Sequence, residues 1–454
     1  MSQTTQKQGS RGVMRPINRF LERWIPSALT FAIVLTLIVA ILAMTLTQTS
    51  PIDVVKGWGD GLAGLLAFMT QMCLILLLGY MLANTRPVQK LLRWLARVPG
   101  NAGFAYVFVF VIAAVASLIT WGLGLIVGTL LAREIAVEAR KRGLKVHFPL
   151  LVAAGYSGFV VWHMGYSGSG PLTAATPDSF LAPSLGGEVL PITETTFSTW
   201  NMLAALGVII VVGFLMYLIR PKKNDPIYEL PETVGSEATD EYDDQVVTPA
   251  DRIDASRILT TIVGIGLVIY LIVHFVQGGT LTLDIVNWSF LALILLLVRS
   301  PFELIHLTKK AASNVGEILV QFPLYAGILG IMSTSGLIAL FSDAFVSIAT
   351  PTTFGVLALL SAGIVNFFVP SGGGQFAVQG PIMLDAANQL GVDPSIAVMA
   401  VAYGDQWTNM IQPFWALPVL AIAGLKMRDI LGYTFITLLG SGIVMAAALL
   451  FVSL

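Results

Sequence analysis

Residues 120–124 read Thr-Trp-Gly-Leu-Gly and residues 370–374 read Pro-Ser-Gly-Gly-Gly, and each turn interrupts a long apolar stretch. Backbone that leaves the helix at membrane depth exposes amide and carbonyl groups that lipid cannot hydrogen-bond. Such a break is tolerated only where it is buried in protein or lines a cavity. Paired breaks in the two halves of a chain are typical of a transporter binding site. The two turns therefore predict an all-α polytopic membrane protein with an internal repeat.

The composition indicates that the bilayer is the solvent of this chain. Of its 454 residues 56% are hydrophobic and 11% are charged, whereas the charged fraction of a globular protein is about 25%. A net charge of −1 and the lack of a basic aromatic patch give no indication of a nucleic-acid partner. The single Cys73 excludes an internal disulfide and a cysteine metal cluster. We expect no cofactor and no metal centre, apart from a coupling H⁺ or Na⁺.

Runs of about 20 mainly apolar residues predict membrane spans. They lie at 26–48, 61–83, 150–177, 199–219, 257–277, 283–298, 317–341, 395–424 and 431–453. The stretches 103–141 and 354–391 each have two apolar arms around one of the glycine turns. We predict that each forms a re-entrant helical hairpin, which enters and leaves on one side of the membrane. The aromatic residues are assigned to packing positions and to interfacial belts.

The distribution of basic residues predicts the orientation, because short cytoplasmic loops hold the Lys and Arg of a membrane protein. With the N-terminus in the cytoplasm, every Lys and Arg except Lys56 falls on the cytoplasmic side. This predicts a multi-pass protein of a bacterial-type cytoplasmic (inner) membrane, with its C-terminus outside. Residues 1–25 would be a basic cytoplasmic N-terminus, and the acidic stretch 221–256 would be a solvated cytoplasmic linker.

The two halves of the chain align by residue type. Gln71 matches Gln321, and the two glycine turns match, at an offset of 250 residues. Each half then has the order span, span, hairpin, broken helix, span. An odd number of crossings separates the two starts, so the second repeat is inverted and the hairpin tips are predicted to meet near the midplane. The predicted parts are a first repeat at 26–220 with a broken helix at 150–177, an extra connecting helix at 257–277, and a second inverted repeat at 281–454 with a broken helix at 395–424.

Each hairpin tip ends one helix and starts another, and the starting helix offers unpaired amides with a partial positive charge. Such an end binds an anion without a cationic side chain, and no Lys or Arg lies at the centre of a predicted span. We predict that a carboxylate substrate binds at these tips and at the serines of the first broken helix. The predicted substrate-binding residues are Trp121, Gly122, Gly124, Ser167, Ser169, Ser371, Gly372, Gly373, Gly374 and Gln375. The alternative is that the glycines only permit close helix packing.

Asp405 is the carboxylate that the sequence places well inside a span. A charge at the bilayer centre costs about 2.5–3.5 kcal/mol on insertion scales, which favours a functional role. We predict that Asp405 carries a coupling proton or helps to hold Na⁺, together with Gln406, Asn409 and His163. The alternatives are a carboxyl that only caps the broken helix and a histidine that is only hydrogen-bonded in the core.

Several motifs resemble those of the short-chain fatty acid transporter family, and the resemblance extends over nearly the whole chain. They are 58–61, 121–128, 369–374, 402–407 and 412–418. The resemblance implies transport of small monocarboxylates such as butyrate or acetoacetate. It also implies a fold similar to the wider ion-transporter superfamily, often as a homodimer. Within the family an acidic residue of either length occupies the position of Asp405, and an Asn can stand where this chain has Thr120.

The predicted function is secondary active transport of a short-chain monocarboxylate by alternating access, coupled to a cation, with H⁺ preferred over Na⁺. The alternatives are a carrier of the same fold for a dicarboxylate or an amino acid, and an anion channel. An enzyme is not predicted, because the four histidines, at 147, 163, 274 and 306, are scattered and form no H-E-x-x-H motif. The expected partners are the monocarboxylate, the lipid bilayer and, as in many family members, a second copy of the chain.

Overall fold

The computed structural model describes residues 28–222, 225–230, 246–313, 315–367, 369–412 and 414–454. Within these ranges the chain is helical and forms no β-strand, which confirms the predicted all-α fold. The predicted basic N-terminus at 1–25, much of the acidic linker, and Pro413 in the second broken helix lie outside the described residues.

The helices have the following bounds. In chain order they are α1 Ala28–Leu46, α2 Pro51–Gly61, α3 Leu66–Asn84, α4 Arg86–Leu95, α5 Ala102–Ile119, α6 Trp121–Lys141, α7 Phe148–Ser157, α8 Ser169–Ala175, α9 Thr199–Leu218, α10 Pro249–Asp254, α11 Arg257–Val276, α12 Leu283–Leu297, α13 Pro301–Ala312, α14 Gly316–Ser335, α15 Leu337–Val346, α16 Pro351–Asn366, α17 Gly372–Leu390, α18 Pro394–Thr408, α19 Ala416–Ala423 and α20 Met427–Val452. Two 3₁₀-helices lie at Gly158–Met164 and Ala182–Leu185.

Seven helical segments in the described part of the chain are long and apolar enough to cross a membrane. They are Leu66–Asn84, Ala102–Ile119, Phe148–Ala175, Thr199–Leu218, Arg257–Val276, Ile318–Ser335 and Met427–Val452. Shorter apolar helices, including α12 and α16, lie between them. The chain is a multi-pass membrane protein.

Two predicted span boundaries are wrong. The span predicted at 61–83 begins at Leu66, because α2 ends at Gly61 and a turn separates the two helices. The span predicted at 317–341 ends at Ser335, because Gly336 adopts the left-handed conformation, with φ 79°. Glycine reaches this conformation without strain and commonly ends a helix there. Polar residues precede both breaks, Asp60 the first and Ser333, Thr334 and Ser335 the second, but apolar residues resume directly after each.

Both glycine turns join two packed helical arms. In the first half α5 ends at Ile119, Thr120 is extended (φ −154°, ψ 137°), and α6 begins at Trp121. The arms lie so close that a methyl group at Gly124 would overlap Ser117 Oγ. In the second half α16 ends at Asn366 and α17 begins at Gly372. There Gln375 Nε2 donates a hydrogen bond to Ala362 O across the pair (2.8 Å).

An interrupted helix follows each hairpin. The first consists of α7, the 3₁₀-helix Gly158–Met164, a break at 165–168, and α8. The second consists of α18, a turn, and α19. The fold thus repeats its order of elements, since α3, α4, α5, α6 and the first interrupted helix correspond to α14, α15, α16, α17 and the second. This order is what brings both hairpin tips and both interrupted helices to one cavity.

The described segment 225–230 of the acidic linker is tied to the helices by hydrogen bonds, and its residues 225–229 are exposed. Phe148 N–H donates to Tyr228 O (2.7 Å), and Tyr228 N–H donates to His147 Nδ1 (3.1 Å). Arg140 donates to the carbonyl of Leu230, whose side chain is buried. His147 Nε2 also lies 3.0 Å from the hydroxyl of Tyr433. The linker segment 225–230 is therefore held by hydrogen bonds of its backbone. One of these bonds is accepted by Nδ1 of the neutral His147 imidazole.

This docking predicts a pH dependence of stability. Burial lowers the pKa of His147 below its ordinary value, so the unfolded chain binds more protons at this site than the folded chain. The contribution of His147 to the free energy of unfolding is then fully present above the pKa of the unfolded chain, about 6.5, and it is lost as the pH falls below that value. We expect the unfolding temperature of the purified protein to drop between about pH 7 and pH 5.5, and to drop less in His147→Gln. Equal losses in both proteins would contradict this role.

Candidate functional site

A cavity of about 70 Å³ lies at the second hairpin tip, between the hairpin and the first interrupted helix. Five of the predicted substrate-binding residues line it, namely Trp121, Ser169, Ser371, Gly372 and Gly373. Both repeats contribute to the wall, since Trp121 begins α6 and Gly372 begins α17. The two tips, which are 250 positions apart in the sequence, therefore meet at one space inside the protein.

The second tip presents the start of a long helix to this cavity. Ser371 caps α17, because its Oγ accepts from Gly374 N–H (3.3 Å) and its carbonyl accepts from Gln375 N–H (2.7 Å). The first amides of a helix have no acceptor within that helix. Within the described part of the chain the N–H groups of Gly372 and Gly373 have no backbone acceptor, so they can donate to an anion, and the helix dipole favours negative charge there.

Glycine is required at 372 because an aromatic wall approaches its backbone. A methyl group at this position would lie 2.5 Å from Trp162 Cη2 and 2.9 Å from Ser169 Oγ. A methyl group at Gly373 would lie 2.7 Å from Phe68 Cζ. Glycine at both positions therefore allows aromatic side chains to pack directly against the turn.

The first tip differs from the second in its hydrogen bonding. Trp121 N–H donates to Ser167 Oγ (3.1 Å), and Gly124 N–H donates to the carbonyl of Thr120 (3.0 Å). The hydroxyl of Ser167 therefore accepts a hydrogen bond from the first backbone N–H of α6. The first tip contributes the side chain of Trp121 to the cavity wall, and this residue is 5% exposed.

Four other predicted substrate-binding residues pack helices together. Gly122 faces the backbone of α3, where a methyl group would lie 3.4 Å from Leu76 O. Gly124 faces Ser117, and Gly374 faces the ring of Tyr325, 2.7 Å from the position of a methyl group. Gln375 bonds Ala362 O and Gln379 Oε1 within its hairpin. For these positions the close-packing alternative fits the structure.

The predicted coupling residues form one buried polar network beside the cavity. His163 Nδ1 lies 3.0 Å from Asp405 Oδ2, and both side chains are fully buried. His163 Nε2 accepts from Gly170 N–H (3.1 Å) and lies 2.9 Å from Ser169 Oγ. A backbone N–H can only donate, so Nε2 is an acceptor and the ring proton is on Nδ1. The neutral imidazole therefore donates to Asp405 on one side and accepts from Ser169 on the other.

Three amide side chains complete the network. Gln406 Oε1 accepts from the backbone N–H of His163 (2.8 Å). Asn366 Nδ2 lies 2.8 Å from Asp405 O and 2.8 Å from Asn409 Oδ1. Asp405 Oδ1, in contrast, has no hydrogen-bond partner within the described part of the chain. A buried carboxylate oxygen without a partner is costly, and it calls for a proton or a cation.

Sequence reasoning missed three residues of this region. Asn366 is the last residue of α16 and ties the second hairpin to the second interrupted helix. Trp162 and Trp415 line the cavity, whereas the sequence assigns them to belts and packing. Trp162 directly precedes His163, and Trp415 lies in the motif 412–418. Those positions were the available signal, but no spacing rule separates a cavity-lining tryptophan from a lipid-facing one.

Solved structures of two transporters share this fold. The YdaH transporter of Alcanivorax borkumensis, described as having an unusual topology, superposes with a TM-score of 0.54 at 14% identity, covering 93% of this chain and 98% of its own. MtrF of Neisseria gonorrhoeae, described as illuminating a class of antimetabolite efflux pumps, gives a TM-score of 0.55 at 14% identity, covering 95% and 96%. At such identity the likeness concerns the fold alone.

Sequence comparison gives the family. A protein of Escherichia coli K12 is 41% identical over 96% of this chain and 98% of its own length. A protein of Haemophilus influenzae is 37% identical over 94% and 96%. Both are named "Putative short-chain fatty acid transporter". The family described as short chain fatty acid transporter matches residues 11–452. The chain belongs to this family of transporters, which are not enzymes.

Proposed function

We propose that the protein is a secondary active transporter of short-chain monocarboxylates such as butyrate or acetoacetate. The observation that carries this proposal is that Ser169 contacts both the cavity and the buried His163. Its side chain lines the cavity and lies 2.9 Å from His163 Nε2, while His163 Nδ1 lies 3.0 Å from Asp405. A hydrogen-bonded chain thus connects the substrate space with the buried carboxylate. The names of the two bacterial relatives support the substrate class.

The carboxylate of the substrate binds at the start of α17, against the amides of Gly372 and Gly373. Asp405 is the coupling group, and its unpartnered Oδ1 holds either the coupling proton or Na⁺. We favour H⁺, because Ser169 and His163 form hydrogen bonds through which a proton can pass. Asn366 joins the second hairpin to the second interrupted helix through the backbone carbonyl of Asp405 and through Asn409, and Gln406 holds the backbone of His163.

Alternating access follows from the repeated order of elements. In this proposal the two hairpins are re-entrant from opposite sides of a bacterial-type inner membrane, and the two repeats are inverted. The N-terminus and the linker are cytoplasmic, and the C-terminus is outside. In this proposal two copies of the chain form the functional unit, as the family resemblance implies.

The alternatives are less well supported. A dicarboxylate or an amino acid calls for additional charged partners, and none of the described residues that line the cavity is charged. One helix start supplies donors for a single carboxylate. An anion channel would have no need for a buried Asp405 that is bonded to the wall of the substrate cavity. A monocarboxylate carrier accounts for both features.

Uptake into proteoliposomes tests the proposal. We expect labelled butyrate to accumulate under an inward pH gradient, to accumulate less under a Na⁺ gradient, and to exchange in counterflow. Unlabelled acetoacetate should compete, whereas succinate should not. Uptake that responds only to Na⁺ would replace the proton by Na⁺ in this mechanism. Competition by succinate alone, or flux without saturation, would contradict a monocarboxylate carrier.

A further inference from the structure

The short helix α4 joins the end of a span to the first hairpin. It follows α3 directly, with the extended residue Thr85 between them (φ −65°, ψ 144°), and it precedes α5. The ten residues of α4 measure about 15 Å, about half the thickness of the hydrocarbon core. A further turn follows, in which Arg97 N–H donates to Trp94 O (3.1 Å) and Val98 N–H to Leu95 O (3.0 Å). The helix is thus too short to cross a membrane, and it lies where a span ends.

Two faces of α4 are apolar, but only one of them packs on the protein. Leu92 and Ala96 are buried, at 3% and 4% exposure. Leu91, Trp94 and Val98 are 50%, 61% and 44% exposed. These three side chains recur at intervals of three and four residues, so they lie in one row along the helix. We call this row, which faces away from the protein, the apolar stripe.

A third face of α4 is basic. Lys90, Arg93 and Arg97, which we call the basic stripe, each precede a member of the apolar stripe by one residue, so the two rows are about 100° apart around the helix. All three are exposed, and no carboxylate of the described residues forms an ion pair with them. Arg86, one turn earlier, is instead paired with Glu303 (3.7 Å). The basic stripe can therefore bind an anionic partner.

An exposed apolar row beside a basic row is typical of a helix that lies in the plane of the membrane interface. The apolar side chains enter the boundary of the acyl chains, and tryptophan favours this depth. The basic residues then lie among the headgroups, where anionic lipids attract them. The acidic segment 231–245 of the chain also has the complementary charge, but its only large apolar residues are Val234 and Tyr242. Anionic lipid matches both rows at once.

We propose that α4 is an interfacial helix that binds anionic phospholipids, with the basic stripe on the phosphate groups and the apolar stripe among the acyl chains. This surface is separate from the substrate cavity, so it does not depend on the proposed function. The turn after α4 is tied to the first hairpin, because Arg142 Nη1 donates to the carbonyl of Arg97 (2.9 Å) and Arg142 directly follows α6. Bound lipid would therefore hold one end of this hairpin at a fixed depth in the membrane.

Quenching of tryptophan fluorescence by brominated phospholipids tests this proposal, because bromine quenches only at short range. Wild type and Trp94→Phe are reconstituted in vesicles of phosphatidylglycerol and phosphatidylcholine in equal amounts, with bromine on the acyl chains of one lipid or of the other. The difference between the two proteins isolates the signal of Trp94. We expect its quenching to be roughly twofold greater or more when phosphatidylglycerol carries the bromine. In about 1 M salt, where the Debye length is about 3 Å, the two lipids should quench equally.

Variants separate the charge of the helix from its position. Replacement of the whole basic stripe by glutamine should equalise the two lipids, while Trp94 stays quenched by both because the apolar stripe is intact. The matched control replaces three exposed basic residues outside α4 by glutamine, and it should keep the wild-type ratio. They are Lys56, Arg252 and Lys309.

Three results would overturn the proposal. Equal quenching of Trp94 by both lipids at low salt would show that α4 has no preference for anionic lipid. A ratio that stays unchanged without the basic stripe would remove these residues from the contact. No quenching by either lipid would place α4 outside the interface, as expected if the segment 231–245 covered it. The salt series uses the wild-type charges, so it decides the question even where the glutamine variant does not fold.

Discussion

Asp405→Asn is expected to abolish accumulation of butyrate against its gradient while counterflow exchange persists. The substitution keeps the size of the side chain, and its amide oxygen can still accept from His163 Nδ1 in place of Oδ2, which is 3.0 Å away. It removes the oxygen that has no partner and with it the group that can hold a proton or a cation. Without a group that carries the coupling ion, the pH gradient no longer drives butyrate uphill, so the accumulation ratio is expected to fall to that of passive equilibration.

The measurement is the accumulation ratio of labelled butyrate under an imposed pH gradient. Asp343→Asn is the matched control, because Asp343 is an exposed carboxylate that bonds Gln389 far from the network. The control should accumulate as the wild type does. If Asp405→Asn accumulated butyrate as well as Asp343→Asn, the carboxylate would be a helix-capping group without a role in coupling.

Gly372→Ala is expected to give the second large effect, a loss of substrate binding. The added methyl group would lie 2.5 Å from Trp162 Cη2 and 2.9 Å from Ser169 Oγ, so the ring or the turn has to shift. Overpacking of this kind typically costs about 1–3 kcal/mol. If that cost falls on the bound state, affinity falls by roughly 5–150-fold, since each 1.4 kcal/mol is a factor of ten.

Gly266→Ala provides the matched control for this substitution. Gly266 lies within α11, and a methyl group there would meet no atom within 4 Å. The control should bind butyrate normally and be slightly more stable, because alanine favours the helix by about 1 kcal/mol over glycine. Unchanged affinity of Gly372→Ala would show that an anion does not approach the start of α17. Unfolding of the variant would be visible as a lower thermal midpoint than that of the control.

The backbone breaks could be predicted from the sequence, because clustered glycine, proline and polar residues inside an apolar run disfavour a continuous helix. Residues 120, 367 and 369–371 do leave the helix. The polar network around Asp405 could also be predicted, because a buried carboxylate needs polar neighbours. Its members include His163, Gln406 and Asn409. The roles of single residues at the hairpin tips could not be predicted. Ser167 and Ser169 differ by two positions, yet one caps a helix and the other lines the cavity.

The aromatic wall was beyond sequence reasoning for a different reason. Tryptophan is common at lipid interfaces, in cores and in binding sites alike. Which face of its helix points inward depends on how two interrupted helices bend, and bends follow from packing rather than from local preference. The break at Gly336 was missed because an apolar run resumes directly after it at Leu337, although Ser333, Thr334 and Ser335 precede it.

In the proposed mechanism the two hairpin tips differ in how they contribute to substrate binding. At the first tip the amide of Trp121, the first residue of α6, is bonded to Ser167, whereas at the second tip the serine hydroxyl accepts from Gly374, the third residue of α17. Under the proposed function the second tip binds the carboxylate, and the first tip supplies part of the apolar wall of the cavity. Substitutions near Ser371 should therefore raise the half-saturation concentration more than substitutions near Thr120 do.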